Sequence, residues 1–458
     1  MFCILLTLQA TEIKEPKEFM KLSLNSDSML EIDNDLDFTN ITNFKPLQYA
    51  GIIDGKGHTI KNLLIDLTDS IPCTVEKAKN SCEISVGIFS FSSLLHVHNL
   101  AFDNVTVKYS NSKDEVTELN MGVLVGQGHD TKVVNVSVTN SNVVATNTAK
   151  AVIRIGGLVG DLEDFLVVNH SVLSVNLTLN GNQLSHAGGV VGSALTDNTN
   201  LVIYHCKVYV NITSAAVVYF GGATSYMQVG WVEFSTIDID LNLMAENNIV
   251  GGFVVDEPAN LTIKNCQNSI SKQGGKNLSA GGICGMSWVS DAIWSINGLV
   301  TIFQLYIPPV YADVVNGSTV IKVEATYCWT LHETPIPVSY LPINRTQIGR
   351  TNKFNLDKKF WSFNETQEVP TRKETPQVIM GSLGPQSDDD DDDDKPKQKS
   401  NVIPMIIVSV IFFALGVIIT AAICMIMKKK NRTKISAFNQ PEHTVKQGEA
   451  LRGDVMMM

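Results

Sequence analysis

The chain has 458 residues, 44% apolar and 18% charged, a balance that suits a packed core and excludes wholesale disorder. Net charge is -11; residues 401–458 hold seven Lys/Arg against three Asp/Glu (+4), so the first 400 carry about -15. Such a surface repels polynucleotides, which excludes nucleic acid as a partner.

Residues 1–10, MFCILLTLQA, read as a weak signal peptide: apolar and short, without a basic start. Residues 11–43 are expected to form an N-terminal cap. A repeat then dominates. Near-identical six-residue stretches (VGIFSF, MGVLVG, IGGLVG, AGGVVG, FGGATS, VGGFVV, AGGICG) place Gly87, Gly122, Gly156, Gly188, Gly221, Gly251 and Gly281 at spacings of 35, 34, 32, 33, 30 and 30. These are turn glycines.

A second pattern follows each glycine. Its first position is Val97, Val133, Val167, Ile203, Val232 and Ile263, all β-branched. Its third is Asn99, Asn135, Asn169, His205, Phe234 and Asn265, where Asn suits a left-handed corner. Its fourth is Leu100, Val136, His170, Cys206, Ser235 and Cys266, and its sixth Phe102, Val138, Val172, Val208, Ile237 and Asn268. Each unit reads as strand, glycine turn, strand, Asn corner, strand. One unit cannot bury its own apolar face, but stacked units can. The expectation is an all-β parallel β-solenoid over residues 44–299, about eight coils deep with an early coil at Ile53–Leu67, followed by a C-terminal cap at 300–363.

These residues carry a resemblance. The GGLVG step followed by V-x-N-C-x-V resembles the GLUG-type repeat. GIIDGKGHTIKNLLI before VGIFSF resembles the opening coils of proteins that carry it, and NKFNLDKKFWSF (352–363) is similar to their closing segment. The resemblance implies a right-handed parallel β-helix shaped like a pectate lyase, on an adhesive surface protein; the membrane span and sequons point to a protist version. FGGATS and VGGFVV lack the closing glycine of the pattern.

Residues 364–401 form an acidic, Pro-bearing stalk with seven consecutive aspartates, Asp388–Asp394, whose mutual repulsion extends it. Residues 402–427 contain no charge and are long enough to cross a bilayer as one transmembrane helix. KKKNRTK follows, which places the tail, 428–458, in the cytoplasm and the N-terminal domain outside, a type I plasma-membrane arrangement. No motif in the tail names a cytoplasmic adaptor.

Eight cysteines include Cys3 in the signal and Cys424 in the span. Cys73 and Cys82 are spaced to close a small disulfide loop in an oxidising compartment. Cys206 and Cys266 share a column two coils apart, about 10 Å, beyond disulfide reach, and read as buried thiols. Eleven N-x-S/T sequons precede the span. Asn135 and Asn169 sit in the inward-facing corner column, so the glycosylation candidates are Asn104, Asn176, Asn211, Asn277, Asn316, Asn344 and Asn364.

Zinc spacing, HExxH, G-x-S-x-G and phosphate-loop patterns are absent, so no catalytic residue, metal or cofactor is assigned. Asp161, Glu163 and Asp164 follow one glycine turn, and Asp256 and Glu257 match them three coils later, near 14 Å away, too far for a carboxylate pair. They read as solvated turn residues, Asp238 and Asp240 as outward-facing strand residues, and His170 as a core histidine. The function expected is non-enzymatic: a single-pass surface glycoprotein displaying a β-helix for adhesion to host or matrix glycans or proteins. The alternatives are a carbohydrate-active β-helix enzyme, lyase or hydrolase, and a protective coat without a ligand.

Overall fold

In a computed structural model the described residues are 10–22, 29–68, 82–110, 116–148, 151–181, 184–194, 196, 199–245, 247–256, 258–272, 278–287, 293–303, 311–314, 320–330, 359, 361–362 and 371–373. Among them the fold is an all-β parallel β-solenoid, with one short helix at Pro16–Phe19. No described helix is long and apolar enough to cross a membrane; residues 1–9, 402–427 and the tail lie outside the described residues.

Apolar residues at every second position bury one face of each strand. Thr236–Leu243 shows the pattern, with Ile237, Ile239, Leu241 and Leu243 inside. Like residues stack on like. The glycine column runs in register from Gly122 through Gly156, Gly188, Gly221 and Gly251 to Gly281, in a seven-stranded parallel sheet. Glycine is required here because backbones meet: a Cβ on Gly188 would run into the Val191 carbonyl oxygen and lie 2.7 Å from the Thr224 Cα.

After the Gly turn, Phe89–Ser93, Val125–His129, Val159–Leu162 and Val191–Ser193 stack in a second sheet with Leu47–Gln48. Val254–Asp256, Cys284–Ser287 and Tyr311–Val314 form a further sheet, joined to it by bridges through Thr224. The remaining long strands make one large sheet, which bends at the corners.

The corner column is Asn99, Asn135, His170, His205, Phe234 and Asn265, all at φ between 47° and 54°. The β-branched column before it is Val97, Val133, Val168, Ile203, Val232 and Ile263. One coil therefore differs from the sequence expectation by one residue: Val168 replaces Val167, His170 replaces Asn169, and Ser171 replaces His170. His170 is exposed at the corner and is no core histidine. The shift lets Leu166, Val168 and Leu173 all face inward.

The residue after the corner explains why Ser and Cys fill a buried column. At the bend the side chain turns inward and donates to the carbonyl two residues back: Ser171 Oγ to Asn169 O at 2.9 Å, Ser235 Oγ to Glu233 O at 2.7 Å, Cys206 Sγ to Tyr204 O at 3.3 Å and Cys266 Sγ to Lys264 O at 3.2 Å; the last three carbonyls also accept a backbone N–H from the neighbouring coil. Cys206 and Cys266 are buried thiols, as expected. Cys82 is disulfide-bonded, and Cys73 lies outside the described residues.

A second corner, at Asn62, Asn104 and Asn140, uses the same chemistry, with Ser141 Oγ donating to Thr139 O at 2.8 Å. It ends there, and Val172–Gly181 runs straight past that level. At the N-terminal end Phe19, Phe38, Phe44, Tyr49 and Phe89 pack as a buried aromatic cluster. Parallel stacking already includes Thr11–Ile13 and Met29–Ile32 within 11–43, and it continues from Ile293–Phe303 to Val320–Thr330.

Candidate functional site

Two places gather side chains that the fold alone does not call for. The first is the seam where the two smaller sheets meet outside the core. Gly160 lies against the backbone of Asn120 and Met121, and Gly192 against that of Arg154 and Ile155, so no side chain separates the strands. Asn120, Arg154, His186 and Tyr219 stack in register on one side of the Gly turn and Gln127, Asp161 and Ser193 on the other, and Arg154 meets Asp161, seven residues on, across it.

Arg154 is the centre of this seam, with its side chain 12% exposed. Its Nη1 donates to Glu118 Oε2 at 2.8 Å and to Asn120 Oδ1 at 3.2 Å, and its Nε lies 3.8 Å from Asp161 Oδ1. Asn120 in turn donates to Glu83 at 2.7 Å. Nearer the surface, His129 sits between Glu163 at 2.7 Å and Asp164 at 3.0 Å, and Gln127 donates to Glu163 at 2.6 Å.

Asp161 was expected to be a solvated turn residue; it is 14% exposed, because the seam closes over it. Burial pushes its carboxyl up to about 7, against the pull of Arg154. Burial also holds His186 down at about 4, helped by Arg154, so the ring is neutral. Glu83 is raised by burial and by Glu118. Asp238 and Asp256, raised to about 6 by burial, are likewise less solvated than their sequence positions suggested. Asp240 accepts from Ser271 at 2.8 Å, and Glu257 lies outside the described residues. The seam's surface carboxylates are thus committed to partners. Ser193 Oγ is fully buried and makes no hydrogen bond, so it is not held by His186 as a nucleophile would be. Among the described residues no cluster fits a metal ion.

The second place is the corner ridge. In three successive coils the corner is His170, His205 and Phe234 instead of Asn. Their rings stack at 4.8 Å between centroids, 20° and 10° from parallel. Tyr204 packs edge-on against His205 at 4.2 Å and Phe234 at 5.6 Å. One rung on, Trp231 is 44% exposed, with Lys264 Nζ 4.8 Å above its ring and held by Glu233 at 2.9 Å. Past the corner, Tyr209 is 41% exposed. A left-handed backbone suits Asn and costs a bulky side chain roughly 1–2 kcal/mol. Three strained corners in a row therefore place an aromatic stack at the surface at the expense of local stability.

The exposed residues Asn104, Asn176 and Asn211 lie on the large sheet, whereas Asn135 is half-buried, its Nδ2 donating to Asn99 Oδ1 at 2.9 Å, and Asn169 is half-buried with Oδ1 unpartnered. Asn277, Asn316, Asn344 and Asn364 lie outside the described residues.

No family model and no curated protein matches the chain, so the GLUG-type resemblance rests on its motifs alone. Among solved structures, a "putative immunoglobulin A1 protease" from Bacteroides ovatus is similar at 14% identity and a TM-score of 0.36, over 80% of this chain and 92% of that one. At that score the likeness carries no argument about fold or activity.

Proposed function

We propose that the chain is a surface-displayed recognition protein, anchored by residues 402–427, whose corner ridge binds glycans. The observation that carries this reading is the aromatic stack at the corner, exposed at His170 and half-buried at His205 and Phe234, with half-buried Tyr204, exposed Trp231 and Lys264 beside it. Aromatic faces pack against the C–H faces of sugar rings, and Lys264, Glu233 and Tyr204 supply hydrogen bonds at the rim. Rungs about 4.8 Å apart repeat that chemistry along an extended chain, so affinity grows by addition of weak contacts. Exposed aromatic patches with polar rims mark interaction surfaces.

The test uses the full-length chain in detergent, screened on a glycan array and incubated with polysaccharides. Binding without release of oligosaccharide, lost in Trp231→Ala and Tyr204→Ala at an unchanged unfolding midpoint, supports the reading. Absence of binding overturns it. A second reading, polysaccharide cleavage, rests on Asp161, whose carboxyl at about 7 holds a proton near neutrality as a general acid does. Oligosaccharide release abolished by Asp161→Asn establishes that reading instead.

A further inference from the structure

The sequons are not spread evenly over the coils. All seven whose Asn is described (Asn40, Asn104, Asn135, Asn169, Asn176, Asn211 and Asn260) lie on the large sheet or its turns. Two of them fall at one level: Asn176 lies six residues past the corner at His170, and Asn211 six past His205. Asn104 sits at the second corner two coils away, two residues before Thr106, the counterpart of Asn176 through Asn142. Asn176 and Asn211 are register partners on adjacent rungs, and so are the hydroxyl residues of their sequons, Thr178 and Thr213. All three asparagines are exposed. In the straight strands Val172–Gly181 and Lys207–Ser214, the Asn and the Thr two residues on share the outer face.

The two sequons nearest the ridge are built differently. Asn135 is a corner residue at φ 54° whose Nδ2 donates to Asn99; Asn104 shares that corner conformation and ladder bond, but Asn104 is exposed and Asn135 is half-buried. Asn169 immediately precedes the corner at His170, and its sequon hydroxyl, Ser171, is 1% exposed and turned inward to the Asn169 carbonyl. A glycan at either position would have to occupy space the corner fills. The ladder bonds at Asn104 and Asn176, to Asn62 at 2.8 Å and Asn142 at 3.0 Å, each use one of the two N–H groups of an exposed residue.

We infer that Asn104, Asn176 and Asn211 carry N-linked glycans, those on Asn176 and Asn211 forming one band beside the ridge, while Asn135 and Asn169 stay bare in the folded protein. The inference rests on the reading that the chain enters the secretory pathway. In each transfer the Asn Nδ2 bonds the anomeric carbon of a lipid-diphosphate-linked oligosaccharide, gives up one N–H proton and releases the lipid diphosphate. The band flanks the ridge without covering it. The stack of His170, His205 and Phe234 keeps its access, and neighbouring glycans on adjacent rungs, about 4.8 Å apart at their roots, crowd each other outward.

The full-length chain, expressed in a eukaryotic secretory host and recovered from the cell surface, is treated with peptide N-glycosidase in heavy-oxygen water and mapped by mass spectrometry. The isotopic label is expected at Asn104, Asn176 and Asn211 and absent from Asn135 and Asn169. Thr178→Ala and Thr213→Ala each remove a single label and one step of gel mobility, with the chain still reaching the surface. Label at Asn135 or Asn169 in the folded protein, or its absence from both Asn176 and Asn211, overturns the band. A chain that reaches the surface with misplaced glycans refutes this inference alone, whereas one that never leaves the cytoplasm refutes the surface reading on which it stands.

Discussion

Replacing Asp161 by Asn isolates what the seam costs the protein. The Asp161 carboxyl rises from the usual 3.8 to about 7 in the fold. Its folded value therefore lies above its unfolded one. Between about pH 4 and pH 7 the unfolded chain releases this proton first, and stability falls as pH rises through that window. At about 1.4 kcal/mol per unit, the loss approaches roughly 4 kcal/mol above pH 7. Asn cannot ionise, so the variant lacks this dependence. His186, held down at about 4, has the opposite sign, losing stability as pH falls from 6.5 toward 4. Asp238 and Asp256, both raised to about 6, share the sign of Asp161. These groups are common to both proteins, so the difference between wild type and variant reports Asp161. Denaturant unfolding of both chains from about pH 4 to pH 8, followed by tryptophan fluorescence, should show the variant gaining on wild type by roughly 2–4 kcal/mol across the window. Two parallel profiles would refute the claim that the seam desolvates this carboxylate.

Gly188→Ala forces a Cβ into the backbone of Val191 and of the neighbouring coil; a loss of about 3 kcal/mol or more, read as a lowered unfolding midpoint, is expected. Cys206, Cys266 and Cys284 are buried, so a maleimide should label them only after denaturant is added; labelling of the native chain would contradict the burial. Peptide mapping without reduction should link Cys82, which is disulfide-bonded, to Cys73. Phe234→Asn exchanges ring stacking for a relaxed corner, so the unfolding midpoint should move by no more than about 1 kcal/mol while ridge binding weakens.

The repeat was legible because stacking converts a period in sequence into a column in space. The Gly122-to-Gly281 column was set by spacing alone, and the pairings place the same glycines side by side. The stretch VVNHS was ambiguous because it offers two adjacent valines and two polar corner residues; only the inward fit of Leu166 and Leu173 separates the alignments. The second corner escaped notice because it ends after Asn140, too few coils for a periodic signal. The Arg154–Asp161 seam was hidden for another reason. Two strands of ordinary polar alternation give no hint that a bare glycine turn folds their outer faces together. The seven-residue spacing of Asn120–Gln127, Arg154–Asp161 and Tyr219–Tyr226 is the signal that would have found it.

Register makes this protein editable by whole storeys. Since Gly122, Gly156 and Gly188 lie one above another, excising residues 156–187 would splice Ile155 onto Gly188 and bring the floor above down by one level, with inward apolar columns such as Val133 and Ile203 meeting again. Lineages can thus shorten or extend the tower by unequal recombination without redesigning its interior. The length of the solenoid would then be tuned by copy number, a variable that point mutation cannot adjust.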